Sequence, residues 1–380
     1  MFGFGKNGKT ENNNEETVPG LGKIKNIIAV ASGKGGVGKS TVATNLAVAL
    51  CQQGLKIGLL DADLYGPSQP RMMGGREAPK AKNGHIIPNE KFGVRFISMG
   101  LIQPDQAVIV RAPIAIKAIS QFLSQVLWGE LDYLLIDLPP GTGDIQLSLA
   151  QQARLSGAII VTTPQKMAVE IAIKGAQMFE VVNVPILGIV ENMSGLVCSH
   201  CQQTTEVFKG GGGVELAKKL EVPFLGAIPL DPEIMMSGDD GVPILEKSKT
   251  SHAAKAYLDL AKNLLENLQK VQVQSFEIGP GNIKLHEKDG SLEIEWKDGS
   301  LSSFDAYSLR VKCPCATCVD ENSGKRILNP ASVSLNIQIK EVKMVGRYGL
   351  SLQFSDGHGT GIYKFKNLKE ENREVPSMSV

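Results

Sequence analysis

The run Gly33-Lys34-Gly35-Gly36-Val37-Gly38-Lys39-Ser40-Thr41 constrains this chain more than any other segment. It follows the short apolar run Ile27-Ile28-Ala29-Val30 and opens a helical pattern from Thr41 to Leu50. Strand, glycine-rich loop and helix, in that order, is the context in which GxxxxGK[ST] cradles phosphate. Glycine lets the backbone approach an anion closely, and the loop N–H groups form a concave nest at the positive end of a helix. Lys39 is spaced to reach the β- and γ-phosphates and Ser40 to offer a hydroxyl to Mg²⁺. The expectation is an ATP–Mg²⁺ site contacted by Gly33, Gly35, Gly36, Val37, Gly38, Lys39, Ser40 and Thr41. Lys34, on physics alone, is a solvated cation beside that site.

Composition narrows the function classes. A net charge of +1 over 380 residues creates no field to draw nucleic acid or acidic membrane. No apolar run approaches the ~20 residues that span a bilayer. Residues 1–24 are rich in Gly, Asn, Glu and Lys and lack the apolar stretch of a secretory signal, so they read as a disordered tail. The expectation is a cytoplasmic protein with neither nucleic acid nor membrane as a partner. Five of the six cysteines fall in two tight clusters, Cys198/Cys201 and Cys313/Cys315/Cys318, which is metal-ligand spacing rather than a disulfide framework. Cys51, alone in a helical pattern, reads as a small buried apolar residue.

From 25 to 270 the chain alternates apolar runs with helical patterns. Candidate strands are Ile27–Ala31, Ile57–Leu60, Val94–Ser98, Tyr133–Ile136, Ala158–Thr162, Ile186–Val190 and Phe224–Ile228. Runs without polar alternation suit parallel strands buried on both faces, so the fold class is α/β, a doubly wound, mostly parallel sheet. A last helix starts after Ser251 with the stripe Ala254, Tyr257, Leu258, Ala261, Leu264, Leu265 and Leu268. Residues 275–368 read as a separate small, mainly β, metal-binding domain. Its turns are expected at Asp289-Gly290, Asp298-Gly299 and Asp356-Gly357, and its later strands between Val333 and Phe365. Residues 369–380 read as a polar tail.

Phosphoryl transfer needs charge neutralisation and an aligned water more than covalent chemistry. Leu59-Leu60-Asp61-Ala62-Asp63 and Leu134-Leu135-Ile136-Asp137 both end strands, where carboxylates project into the ligand crevice of an open α/β sheet. Asp137 suits holding Mg²⁺ through water, Asp61 supporting it, and Asp63 orienting the attacking water.

Cys198 and Cys201 offer two thiolates where a closed metal site needs four, and a two-fold dimer supplies the second pair. A redox disulfide is the other use of such a pair. Cys313, Cys315 and Cys318 have His358 as the best fourth ligand, giving a set that suits zinc or an iron–sulfur centre.

The runs GKGGVGKST, Asp61-Ala-Asp-Leu-Tyr-Gly-Pro-Ser-Gln-Pro70, Asp137-Leu-Pro-Pro-Gly-Thr-Gly-Asp144 and Gly188-Ile-Val-Glu-Asn-Met-Ser194, with Cys198-Ser-His-Cys201 after them, resemble the Mrp/ApbC family. That family belongs to the MinD/ParA-like branch of P-loop ATPases and handles iron–sulfur clusters. The resemblance covers roughly Lys25 to Lys270. It implies an ATP-hydrolysing homodimer that carries a [4Fe–4S] cluster shared across the dimer at Cys198 and Cys201. Cluster donors and apo iron–sulfur clients are its implied partners. It further implies that Lys34 reaches the nucleotide of the partner subunit, that Asn192 contacts adenine, and that residues 137–143 respond to the γ-phosphate. Many bacterial relatives carry an N-terminal accessory domain where this chain has a polar tail, so a function of that domain is expected to be absent or supplied in trans. The small domain resembles the N-terminal domain of γ-butyrobetaine hydroxylase, which implies structural zinc at Cys313, Cys315, Cys318 and His358. Two other classes share parts of the pattern: a MinD/ParA-like positioning or partitioning ATPase, and a nitrogenase-reductase-like electron donor.

Overall fold

The computed structural model describes residues 21, 23–64, 66–75, 77–102, 112–141, 143–153, 155–182, 184–197, 201, 203–208, 210–286, 290–315, 317–319, 325–345 and 349–371. The chain divides into two compact units, Met1–Phe179 with Pro185–Leu264, and Glu180–Val184 with Leu265–Val380.

In the first unit the strands are β1 (Ile24–Ala31), β2 (Ile57–Asp61), β3 (Ala81–Lys82), β4 (His85–Ile86), β5 (Asn89–Lys91), β6 (Val94–Ser98), β7 (Leu131–Asp137), β8 (Gly157–Thr162), β9 (Ile186–Val197), β10 (Thr204–Thr205) and β11 (Phe224–Leu230). Nine of them form one sheet in the order β10-β9-β8-β1-β7-β2-β6-β5, with β11 paired to β9. All pairings are parallel except those of β5 and β10. Every residue of β2 and β8 is buried, as continuous apolar runs between two helical layers must be. All seven expected strands are present. The two short antiparallel edge strands, β5 and β10, carry no apolar run and escaped the reading; edge pairs need only a hydrogen-bonding partner, not a buried face.

The helices are α1 (Lys39–Gln52), α2 (Gln69–Met72), α3 (Met99–Ile102), α4 (Ala112–Gln125), α5 (Asp144–Gln152), α6 (Lys166–Val181), α7 (Gly212–Lys219), α8 (Pro232–Asp240), α9 (Ile244–Lys247) and the long α10 (His252–Ile278). Ser251 Oγ accepts from the Ala254 N–H at 3.1 Å, the cap expected for α10. The buried stripe of α10 in this unit is Ala253, Ala254, Tyr257, Leu260, Ala261 and Leu264. Leu258 lies only at its margin, a phase shift toward Ala253 and Leu260, and Leu265, in the second unit, is half-buried.

The second unit holds two three-stranded antiparallel sheets. One is β12 (Pro280–Leu285), β13 (Leu292–Trp296) and β14 (Leu301–Phe304); the other is β15 (Ile339–Val345), β16 (Gly349–Phe354) and β17 (Ile362–Lys364). Helices α11 (Ala306–Val311) and α12 (Phe365–Glu371) accompany them. Leu292, Ile294, Trp296, Leu350, Phe354 and Phe365 form its core together with Cys313 and Cys318. The later strands begin at Ile339 rather than Val333. Asn329 Oδ1 accepts from the Ala331 N–H at 3.0 Å and caps a 3-10 turn, Pro330–Ser332, that turns the chain instead.

Two expectations about termini change. Ile24 already belongs to β1, and residues 369–371 belong to α12. Residues 1–20 and 372–380 lie outside the described residues, as do Cys198, Ser199, His200 and Asp289.

Candidate functional site

Strand register assembles the phosphate site. Asp61 and Asp137 are direct Cα partners on β2 and β7, Val30 pairs with Asp137 from β1, and Asp61 pairs with Ser98 on β6. One row across four parallel strands thus brings both carboxylates to the C-terminal edge of the sheet, beside the loop that leaves β1. In that loop Gly36 and Gly38 take φ of +81° and +79°, which only glycine adopts without strain. At Gly33 a Cβ would run into the Ile171 carbonyl group, whose carbon it would approach to 2.6 Å.

Lys39 is 5% exposed, and its ammonium pairs with Asp137 Oδ1 while lying 3.3 Å from Ser40 Oγ. A cation therefore sits among the hydroxyl and carboxylate oxygens assigned to Mg²⁺. Hard oxygen donors around one positive charge fit that ion, which Ser40 and Asp137 would hold and Asp61 support; its chemistry there is charge neutralisation on the phosphates. Asp61 is fully buried and accepts from Ser98 Oγ (2.9 Å) and the Asp63 N–H (3.1 Å). Burial, and then the Asp137 carboxylate, push its pKa up to about 8. Asp63 is half-buried at the mouth, where it accepts from the Gly66 N–H at 3.3 Å. Lys34 is exposed, with its carbonyl receiving the Ser32 hydroxyl at 3.0 Å.

Asn192 has a bond the sequence did not announce. It is 6% exposed, and its Nδ2 donates to the Val37 carbonyl at 2.9 Å, bracing the phosphate loop from β9. The next residue, Met193, holds φ +56° inside the strand, a conformation L residues rarely adopt. β9 then runs to Val197, which pairs with Thr204 of β10. The segment between them carries the Cys198/Cys201 pair, and Cys201 is exposed.

Three residues of the phosphate site went unread in the sequence: Ser98, Thr44 and Gln69. Ser98 was legible only as the last residue of a strand; Gln69 is fully buried and bonds to Asp137 Oδ2 at 2.9 Å.

The second unit gathers all four expected metal ligands. Cys313, Cys315, Cys318 and His358 place their ligand atoms within 4.8 Å of one another. His358 Nε2 lies 3.1, 3.4 and 3.7 Å from the three sulfurs in that order. Three thiols and an imidazole about one point are a closed tetrahedral zinc set, and zinc there would supply cross-linking rather than catalysis. Burial pushes the Cys313 thiol up to about 12. At Cys315 burial is outweighed by hydrogen bonds led by Thr317 and Thr360, which bring it down to about 6. Arg310 braces the set: Nη1 donates to Cys318 Sγ (3.4 Å) and Nε to Asp356 Oδ2 (2.7 Å), while Asp356 Oδ1 accepts from the His358 N–H (3.0 Å).

Among the described residues no helix is long and apolar enough to cross a membrane. Comparison with known proteins agrees with this geometry. Residues 283–369 match the γ-butyrobetaine hydroxylase-like N-terminal family. Residues 23–265 match the ParA family described as NUBPL iron-transfer P-loop NTPases. An iron–sulfur cluster carrier protein of Aquifex aeolicus is 48% identical over 251 residues, 65% of this chain and 68% of its own. An Arabidopsis thaliana mitochondrial iron–sulfur protein required for NADH dehydrogenase is 48% identical over 252 residues, 66% of this chain and 80% of its own. A nucleotide-binding protein from Archaeoglobus fulgidus, solved with ADP, is 41% identical with a TM-score of 0.53, covering 58% of this chain and 88% of its own. With a phosphate loop of this geometry inside the matched segment, the chain is an ATPase and belongs to the ParA-type NUBPL iron-transfer P-loop NTPases.

Proposed function

We propose that the protein is an ATP-hydrolysing homodimeric carrier that binds a [4Fe–4S] cluster and passes it to apo iron–sulfur proteins. Cys198 and Cys201 of two copies provide the four thiolates. The observation that carries this reading is the continuity of β9: one strand is bonded to the phosphate loop at Asn192 and leads directly into the two-cysteine segment. The iron–sulfur relatives support the cargo. Lys39 and the loop N–H groups bind the phosphates, Ser40 and Asp137 hold Mg²⁺, Asp63 aligns the attacking water, and Asn192 borders the base. Lys34 reaches the nucleotide of the other copy. Residues 275–368 form a small domain held by structural zinc at Cys313, Cys315, Cys318 and His358. Cysteines without a disulfide framework suit a reducing, cytoplasmic setting.

The test is anaerobic reconstitution with iron and sulfide, followed by metal analysis and transfer to an apo-ferredoxin. Wild type should hold about four iron atoms per dimer at this site. Cys198→Ser with Cys201→Ser should lose them and the transfer, while keeping nucleotide binding. A double variant that still takes up and donates four iron atoms would overturn the assignment.

A further inference from the structure

Gln69 is the first residue of α2, fully buried, and both its side-chain amide and its main-chain N–H meet the ATPase site. The side-chain Nε2 donates to Asp137 Oδ2 at 2.9 Å and to the Ser40 carbonyl at 3.2 Å. Oε1 receives the Thr44 hydroxyl from α1, and the Gln69 N–H donates to Asp61 Oδ2 at 3.3 Å. The amide can only be oriented this way. A carboxylate and a carbonyl both accept, so the NH₂ must face them, and the oxygen is left toward Thr44 Oγ1, whose one hydrogen is shared between Gln69 Oε1 and the Ser40 carbonyl. One residue thus fixes both buried carboxylates, Asp137 by side chain and Asp61 by main chain, and ties them to the start of α1.

We infer that Gln69 is a positioning residue of the ATPase reaction, holding Asp137 in the orientation that receives Mg²⁺. Asp137 Oδ1 is engaged by Lys39 in this structure. With Lys39 on the phosphates, Oδ1 would be free to help hold Mg²⁺ through water, while Gln69 keeps its bond to Oδ2. That bond would restrain the carboxylate from rotating. A neutral donor does this without cancelling the charge that Mg²⁺ needs, which a lysine or arginine at the same place would do.

The experiment compares full-length wild type with Gln69→Met, which keeps length and burial but removes both N–H donors. A fluorescent ATP analogue reports nucleotide affinity without Mg²⁺, and hydrolysis is followed over a Mg²⁺ titration. Nucleotide affinity without Mg²⁺ should stay within about twofold, because hydrogen bonds to the phosphates come from the loop itself. The Mg²⁺ concentration for half-maximal hydrolysis should rise about tenfold or more, the usual effect of losing a partner that orients a metal ligand. Thr44→Val, which frees the amide to turn and also removes the hydroxyl's contact with the Ser40 carbonyl, should raise it about threefold, and it decides the matter if Gln69→Met does not fold. A folded variant with lowered melting temperature but wild-type Mg²⁺ dependence would overturn the inference and leave Gln69 as packing.

Discussion

Lys39 has a second task besides the phosphate contact proposed for it. Its ammonium is the cation in contact with Asp137, which is fully buried beside the equally buried Asp61. Lys39→Met keeps the length and burial of the side chain and removes only the charge. The two carboxylates then share a low-dielectric pocket without a cation. Removing one partner of a buried ion pair costs about 3–5 kcal/mol, because the remaining charge is left uncompensated. The loss depends on pH. Burial and the Asp137 carboxylate already push the Asp61 pKa up to about 8, and losing the ammonium, which lowers it, pushes it further upward. The protonated form of Asp61 is tolerated, so the penalty is largest at pH 8 and shrinks as pH falls toward 5. The assay is urea unfolding of nucleotide-free protein at pH 5, 6, 7 and 8, with circular dichroism as the probe. Mg²⁺ alone should restore part of the stability of the variant by binding the folded site. Exposed Lys34 serves as control, since Lys34→Met should change stability by less than about 0.5 kcal/mol. If nucleotide-free Lys39→Met is as stable as wild type at pH 8, the ammonium is not what makes the carboxylate pair tolerable, and the electrostatic account of the site fails.

Wild type should show a related pH dependence. Asp61 binds its proton up to about pH 8 when folded but only to about 3.9 when unfolded, so stability falls as pH rises through that window. The slope should be at most about 1.4 kcal/mol per pH unit, and Asp61→Asn should flatten it in the same urea titrations. Gly33→Ala should lower stability by about 1–3 kcal/mol and weaken nucleotide binding, because its Cβ meets main-chain atoms of Ile171 and Ala172. Gly35→Ala, with nothing nearer than Pro140 at 3.9 Å, should leave the melting temperature alone. In the second unit, His358→Ala should strip zinc from the protein in a chelator competition. His286→Ala should not, since His286 faces Glu293 and is no ligand. Arg310→Met should weaken zinc by about 10- to 100-fold; wild-type retention would reduce its bonds to Cys318 and Asp356 to packing.

The phosphate loop and the Cys313/Cys315/Cys318 cluster were legible because their chemistry is local: consecutive glycines, or thiols two or three positions apart, suit their ligand whatever surrounds them. The seven parallel strands were legible for a similar reason, since burial on both faces leaves a continuous apolar run. His358 could be named because a histidine in a tight turn had few rivals, yet only folding brought it from the turn after β16 to sulfurs some forty residues earlier in the chain. The register that makes Asp61 and Asp137 neighbours, and adds Ser98, is a property of strand pairing, which a periodicity of two cannot specify between distant segments. The same holds for Gln69 and Asn192. In the chain each is an ordinary amide beside a proline or a methionine, and each acquires its role only from a carboxylate or carbonyl that the sheet and its loops bring within 3 Å. Local chemistry is written residue by residue. Long-range partnership depends on which strands lie side by side, and the packing of the whole sheet decides that.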